Sequence, residues 1–254
     1  MGTTFDELLA EGAAQPTEGW DFSWFAGRAT EERPPWGYSR LLGERMARAS
    51  AGLDLQTGGG EVLAGIPAPP PVLAATEGWA PNIATARETL APLGAEVHEL
   101  PADAPLPFPD ATFDLVTARH PTYVPWPEVA RALAPGGTYL AQHVGGPSAA
   151  ELTAFMMGSC PPADPADPTF GAEGARAAAE AAGLTVTELR TAVCRVEFFD
   201  VAAVVHYLRK VIWMVPDFDV ERYRERLAAM HELILADGGW SMNHHRFLLE
   251  ARRP

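Results

Sequence analysis

Leu53 to Glu61, reading LDLQTGGGE, constrains this chain more than any other stretch. An apolar lead-in, Ala51 to Leu55, runs into three consecutive glycines and then into GEVL, which can open a helix. The order is strand, tight turn, helix N-terminus. Glycine accepts backbone conformations that side chains resist. Gly58 and Gly60 therefore let the main chain pass close to a ligand, and the helix opening near Glu61 offers unpaired N–H groups. Asp54 and Glu77 would repel a phosphate at such a turn, whereas their carboxylates suit ribose hydroxyls or an ammonium, so the ligand expected here is a nucleoside. A glycine turn with no ligand is the plain alternative, and the order of the segments downstream weighs against it.

Val72 to Glu77, VLAATE, reads as a second buried strand ending in a carboxylate, and Pro81 to Leu93 as a helix stopped at Gly94. Glu96 to Leu100 is a third strand and Phe113 to Arg119 a fourth. WPEVARALAPGG then supplies a helix and a Pro-Gly-Gly turn before a fifth strand, Thr138 to Val144. Gly171 to Ala182 is an alanine-rich helix, Thr185 to Val196 a sixth strand, and Met242 to Ala251 a closing strand expected in an edge hairpin with the sixth. Strands alternating with helices of about 10 to 15 residues predict a doubly wound α/β sheet, in which ligands bind outside the carboxyl ends of the strands.

Two regions stand apart from this alternation. Residues 1–50 form an arm with a short acidic helix from Thr4 to Glu11 and a second helix from about Pro35 to Ser50, whose apolar stripe is Tyr38, Leu41, Leu42 and Met46. Between them lie Trp20, Phe22, Trp24 and Phe25, with Trp36 just beyond. These aromatics pin the arm to the main domain or roof a ligand pocket. Residues 199–239 form a helical insert within the main domain, 51–254, with a helix from Asp200 to Trp213. A second helix of the insert carries Val220, Tyr223, Leu227, Met230 and Ile234 at the 3.6-residue period.

With 254 residues and 47% hydrophobic composition, the chain can bury one good core. It has no run of about 18 apolar residues that could cross a membrane. The first residues, MGTTFDELLAEG, are acidic and unlike a signal peptide, so the cytoplasm is the expected location. A formal net charge of -14 with a single lysine, Lys210, argues against nucleic-acid partners. Cys160 and Cys194 are isolated, and no metal site is expected.

Four segments in this order, LDLQTGGGE, the acid of AATEGW, DAPLPFPDATFDLV and EVARALAPGGTYL, resemble the motifs of class I S-adenosylmethionine-dependent methyltransferases, in the broad ubiquinone/menaquinone-type small-molecule group. They cover roughly Ala51 to Val144, and the closing HHRFLLEARRP resembles the family's last strand. One such motif is weak; four in order are specific. The aromatics of the arm and of the insert are expected to make the one a cap and the other a substrate lid, and the resemblance implies a seven-stranded Rossmann-like sheet with the last strand antiparallel. It implies S-adenosyl-L-methionine as cofactor and S-adenosyl-L-homocysteine as product. By position, Asp54 and the backbone of Gln56, Thr57, Gly58 and Gly60 would surround the methionine part. Glu77 would take the ribose hydroxyls, with Gly78 and Trp79 beside the ribose and adenine. Asp103 would accept from the adenine amine and Ala104 would donate through its backbone, while Arg119 and His120 would border the methionine and the methyl. Gln56 departs from the pattern, which usually has glycine there.

Methyl transfer from a sulfonium is an in-line displacement, so the nucleophile must be aligned and, if it is a hydroxyl or an acidic carbon, deprotonated. His120 and His143 lie at the carboxyl ends of predicted strands and are the candidate bases, each with a structural role as the alternative. Trp24, Trp36, Tyr123, His143, His206, Tyr207 and Trp213 are candidate substrate-binding residues for a small apolar or aromatic metabolite of the kind made in secondary metabolism. Helix cores at the usual spacing would equally explain several of them. The chain is expected to act on a small molecule as a monomer or homodimer, away from membranes. Two alternatives stay open: a methyltransferase fold that uses the cofactor as a scaffold for non-methylating chemistry, and a nicotinamide-dependent oxidoreductase. The second fits a glycine turn followed by an acid about 17 residues on, but lacks the G-x-G-x-x-G spacing.

Overall fold

The runs LAAT from Leu73 and LVTA from Leu115 carry no charge and are buried along their whole length, as strands covered on both faces must be. They are the middle of two strands in the computed structural model, which describes residues 2–17 and 22–254. The strands are β1 (Ala29–Glu31), β2 (Ala51–Leu55), β3 (Val72–Glu77), β4 (Glu96–Glu99), β5 (Phe113–Arg119), β6 (Leu133–Val144), β7 (Thr185–Phe198) and β8 (Trp240–Arg252). They form one sheet of eight in the order β1-β7-β8-β6-β5-β2-β3-β4. β2 pairs in parallel with β3 and β5, β3 with β4, and β5 with β6, while β8 runs antiparallel to β6 and β1 antiparallel to β7. From β2 the chain winds outward through β3 and β4, then returns to the other side of β2 at β5. The switch point lies between β2 and β5, where the crevice outside the strand ends is the default ligand site.

The sheet was expected to have seven strands; the short β1, from the arm, is an eighth. A second difference is the place of the closing strand. β8 lies inside the sheet between β7 and β6, not at an edge, with seven register pairs running from Thr138↔Arg252 to Val144↔Arg246. Its apolar residues alternate between the two faces. Phe247 and Leu249 join one core and Leu248 the other, which an exposed edge strand would not require.

The chain divides into two compact units. The larger comprises 34–146, 163–192 and 246–254. Its helices are α2 (Tyr38–Met46), α3 (Glu61–Ala64), α4 (Ala80–Leu90), α5 (Trp126–Ala132) and α7 (Ala172–Ala181). Strand residues alternate between two cores. Ala74, Val116, Tyr139 and Ala141 pack with Trp126 and Val129 of α5 and Ala175 and Ala179 of α7. Leu73, Ala75, Leu115 and Leu140 pack with Leu42 and Met46 of α2, Leu63 of α3 and Leu90 of α4. This two-sided alternation buries the middle of the parallel sheet and leaves the strand ends for polar chemistry.

The smaller unit comprises residues 1–33, 147–162 and 193–245, so β7 and β8 are each divided between the units. It holds α1 (Phe5–Ala14), α6 (Ala150–Met157), α8 (Val201–Lys210) and α9 (Arg224–Asp237). Thr4 and Glu7 form a reciprocal capping box at the start of α1, and the Asp200 carboxylate caps α8 by accepting from Ala203 N–H at 2.8 Å. A Cβ on Gly12 would stand 2.4 Å from the Ala202 carbonyl, so glycine is what lets α1 and α8 pack this closely. Leu9, Phe25, Leu152, Met156, Val204, Leu208, Leu227 and Met230 lie in one core there. Among the described residues no helix is long and apolar enough to cross a membrane. Trp20 lies outside the described residues.

Candidate functional site

Every group described next belongs to the larger unit, and most lie at or just past the carboxyl ends of β2, β3, β4, β5 and β6. Asp54 sits on β2 at the switch point, opposite Thr117 of β5 in the register. The Thr117 hydroxyl donates to the Asp54 carboxylate at 2.6 Å. Burial pushes the Asp54 carboxyl up to about 6, against the pull of that hydrogen bond, of the nearby Thr57 hydroxyl and of the Arg119 guanidinium. A buried carboxylate whose ionised form is disfavoured by burial is suited to a cationic ligand group, which would supply counter-charge.

The turn after β2 is unusually left-handed. Gln56 has φ of 52°, Gly58 67° and Gly60 84°. Gly60 caps α3 and packs so tightly that a Cβ there would stand 2.8 Å from Leu90 Cγ. The Gln56 N–H donates to the Thr76 hydroxyl at 3.2 Å and the Thr57 N–H to the Thr76 carbonyl at 2.9 Å, tying the turn to β3. Gln56, where glycine was the residue of the pattern, adopts the left-handed conformation all the same. Its side chain spans to the loop after β5: Nε2 donates to the Tyr123 carbonyl at 2.6 Å, and Oε1 accepts from the Thr122 N–H at 2.7 Å and hydroxyl at 2.9 Å. Those three bonds offset the 1–2 kcal/mol typical of a left-handed non-glycine residue.

Glu77 closes β3 and is buried. One carboxylate oxygen accepts from Gly58 N–H and the other from Trp79 N–H, each at 2.7 Å. The acid thereby ties the glycine turn to the loop after β3 while each oxygen keeps a lone-pair direction for a further donor. A Cβ on Gly78 would stand 2.8 Å from the Leu100 carbonyl, so this loop runs backbone-on-backbone against the loop after β4. In the latter, Asp103 is exposed, and Ala104 N–H donates to Pro101 O at 3.0 Å. Trp79 and Tyr123 remain exposed, at 49% and 44%.

Past β5, Arg119 is exposed and His120 takes φ of 56°. The His120 N–H donates to Gln142 O of β6 at 2.7 Å, and Gln142 Nε2 donates to His120 Nε2 at 2.9 Å. Trp36 Nε1–H in turn donates to Gln142 Oε1 at 2.8 Å, and Tyr38 Oη–H to Ala118 O at 2.9 Å.

Solved structures with this arrangement of strands and helices include a methyltransferase from Bacillus halodurans (19% identity, TM-score 0.56, covering 86% of this chain and 100% of that one). Haemonchus contortus phosphoethanolamine N-methyltransferase 2, in complex with S-adenosylhomocysteine, matches over 86% of this chain and 53% of its own (16% identity, TM-score 0.50). The chain has the class I S-adenosylmethionine-dependent methyltransferase fold. The same fold carries the cyclase SpnF, which covers 98% of this chain and 92% of its own (17% identity, TM-score 0.51). No family model matches the chain, and no curated protein matches it.

On this methyltransferase fold, Asp54, Gln56, Thr57, Gly58, Gly60, Glu77, Gly78 and Trp79 come together around the turn and the end of β3, with Arg119 close enough to influence Asp54 electrostatically. Thr57 Oγ1 is buried without a hydrogen-bond partner among the described residues. A buried hydroxyl and a buried carboxylate short of counter-charge, beside a left-handed glycine turn, fit a nucleoside carrying a cationic chain.

The two candidate bases differ. His143 is 0% exposed, lies 4.4 Å from Phe247 in a near-parallel stack, donates through Nδ1–H to Thr169 O at 3.2 Å and accepts at Nε2 from Tyr139 Oη–H at 3.3 Å. Burial lowers its pKa to about 4, so it is a neutral histidine with both nitrogens engaged within the core. His120 is half-buried at the site itself. Trp36 is buried in the core beside α2, contributing its indole N–H to Gln142 and no face to a ligand.

The remaining substrate candidates belong to the smaller unit. His206 is buried there, stacked on Phe25 at 5.0 Å and edge-on to Trp24 at 5.1 Å. Tyr207 is also buried, and its hydroxyl donates to His244 Nε2 at 2.9 Å, while His244 Nδ1–H donates to Glu31 at 2.8 Å. Trp213 is 57% exposed. Helical spacing placed His206 and Tyr207 in a core, as it usually does. Thr117 and Gln142 were not singled out from sequence. The available signal was a neutral hydrogen-bonding residue inside each of the buried runs LVTA and YLAQHV.

Proposed function

We propose that this protein is an S-adenosylmethionine-dependent methyltransferase acting on a small apolar or aromatic metabolite. The observation that carries the reading is the Glu77 carboxylate, buried at the end of β3 and holding the Gly58 and Trp79 N–H groups at 2.7 Å on the fold of this enzyme class. Bound there, S-adenosylmethionine supplies a methyl group on a sulfonium for in-line displacement. Glu77 accepts the ribose hydroxyls. Asp54 and the main chain of 56–60 hold the cationic methionine end. Asp103, in the exposed loop after β4, accepts from the adenine amine, whereas the Ala104 N–H, expected to donate to the cofactor, is already given to the Pro101 carbonyl. Trp79 lies along the ribose and adenine. Arg119 and His120 border the reacting end, and the exposed ring of Tyr123 beside Gln56 faces the acceptor. In such a site the chain's residues align and desolvate the reactants, which is where most of the rate enhancement of a displacement arises.

Titration calorimetry with S-adenosylmethionine and with NAD, followed by mass spectrometry of candidate acceptors, tests this. Binding of the sulfonium compound and an acceptor gaining one methyl group is the expected outcome; NAD binding in its place contradicts it. A second reading, in which the cofactor stays intact as a scaffold, is supported by the likeness to the cyclase SpnF over 98% of this chain. It predicts cofactor binding with no S-adenosylhomocysteine formed.

A further inference from the structure

Trp36, Gln142 and His120 form a chain of side-chain hydrogen bonds whose directions are fixed by chemistry alone. An indole Nε1–H can only donate, so the Gln142 atom facing it at 2.8 Å must be the carbonyl oxygen. The amide NH2 then faces His120, and it too can only donate. His120 Nε2, 2.9 Å away, must therefore be the bare lone pair, and in the neutral ring the proton sits on Nδ1. Flipping the amide would set two donors against each other at the Trp36 end. Protonating His120 at Nε2 would do the same at the other. Trp36 and Gln142 are both buried, so neither unsatisfied donor could turn to water.

The backbone holds the ring to this partner. The His120 N–H donates to the Gln142 carbonyl at 2.7 Å, and the left-handed turn at φ of 56° brings the residue back over the end of β6. Tyr38, two residues after Trp36, fastens the end of β5, which His120 directly follows, through the Ala118 carbonyl at 2.9 Å.

We infer that Gln142, braced by Trp36, is a positioning residue that locks His120 in its Nδ1–H tautomer. This makes His120 a hydrogen-bond donor at the methyl-transfer site and not a base. The assignment of the ring to that site rests on the methyltransferase reading; the tautomer does not. In the neutral ring one nitrogen lends its lone pair to Gln142 and the other carries the proton, so no lone pair remains to take a proton from an acceptor. His143, the other candidate, has both nitrogens engaged in the core. The acceptor class that fits is a nucleophile with no proton to hand to either ring: an amine lone pair, or an oxygen or carbon already ionised.

Long-range 1H–15N correlation spectra of the protein labelled with 15N-histidine read the tautomer directly. The His120 signals are picked out from those of the seven histidines by their loss in His120→Asn, a residue that tolerates left-handed backbone. The wild type is expected to show a single Nδ1–H imidazole. Gln142→Glu, whose carboxylate accepts at both ends, should move the proton to Nε2. Trp36→Phe, which deletes only the brace, should give a mixture of tautomers. Nε2–H in the wild type overturns the inference, as does a tautomer unmoved by both Gln142→Glu and Trp36→Phe. Calorimetric titration of the same samples with S-adenosylmethionine separates the two claims. A wild-type protein that fails to bind it overturns the methyltransferase reading, and the spectra still decide the tautomer.

Discussion

The carboxyl ends of β2, β3, β5 and β6 and the core of the smaller unit both bury polar side chains, and they differ in whether a buried carboxylate is among them. At the strand ends, unfavourable features accumulate in one place: left-handed Gln56 and His120, an Asp54 carboxyl raised to about 6, and a buried Thr57 hydroxyl poorly placed to bond it. Two of them, Asp54 and Thr57, would be relieved by a ligand. In the smaller unit left-handed Ala149 and Asp217 occur too, as do the Nδ1 atoms of His206 and His231, unpartnered among the described residues, but the Tyr207–His244–Glu31 chain is hydrogen-bonded within the fold and His206 is packed between the rings of Trp24 and Phe25. Strain and unmet charge that a fold retains at strand ends point to function, whereas polar atoms packed into a helical core point to architecture.

Four changes break or sharpen that contrast. The largest effect is expected from Gly60→Val. It forces a β-branched residue into φ of 84° with its Cβ 2.8 Å from Leu90, and it should cost about 3 kcal/mol or more in denaturant unfolding while abolishing cofactor binding. His143→Gln should lower stability by about 1–3 kcal/mol through the lost stack and hydrogen bonds. Cofactor affinity should stay at the wild-type value, and a loss of affinity with unchanged stability would return His143 to the site.

The third is a pH dependence. Asp54 is ionised only above its raised pKa of about 6, and a cationic ligand group binds the ionised form, so affinity should rise with pH through that value. By linkage, S-adenosylmethionine should bind about tenfold more weakly at pH 5 than at pH 7, and Asp54→Asn should flatten the profile. A flat wild-type profile would remove Asp54 from contact with the cation. The smallest change is expected from His206→Phe. His206 Nδ1 has no partner among the described residues, so its removal should leave stability within about 1 kcal/mol of the wild type. Burial lowers its pKa to about 4, so the wild type loses stability as pH falls from about 6.5 toward 4, and the variant should lose less. A drop well beyond that range at neutral pH would show a polar role in the smaller unit like those at the strand ends.

The parallel half of the sheet was legible because LDLQTGGGE, VLAATE and FDLVTAR carry their cues locally: apolar runs, a glycine turn, and an acid at a strand end. The interior position of β8 was not, since a strand's neighbours follow from tertiary pairing and HHRFLLEAR has apolar residues for both faces in any position. The three-residue β1, Ala29–Glu31, is too short to show a period and exists because β7 offers it an edge. At the site, Glu77 and the glycines could be read from spacing. The Gln56 span to Thr122 and Tyr123 and the Trp36–Gln142–His120 chain join residues 22 to 106 positions apart, and only the fold brings them together.

The central claim is that the acid ending β3 and the glycine turn it holds form a site for a sulfonium-bearing nucleoside. Calorimetric titration of the wild type and Glu77→Ala with S-adenosylmethionine tests it most directly. The account predicts binding by the wild type, weakened by about 1–3 kcal/mol in Glu77→Ala, for the charge-assisted bonds lost. Equal affinity in the two proteins, or no binding by a folded wild type, would contradict it.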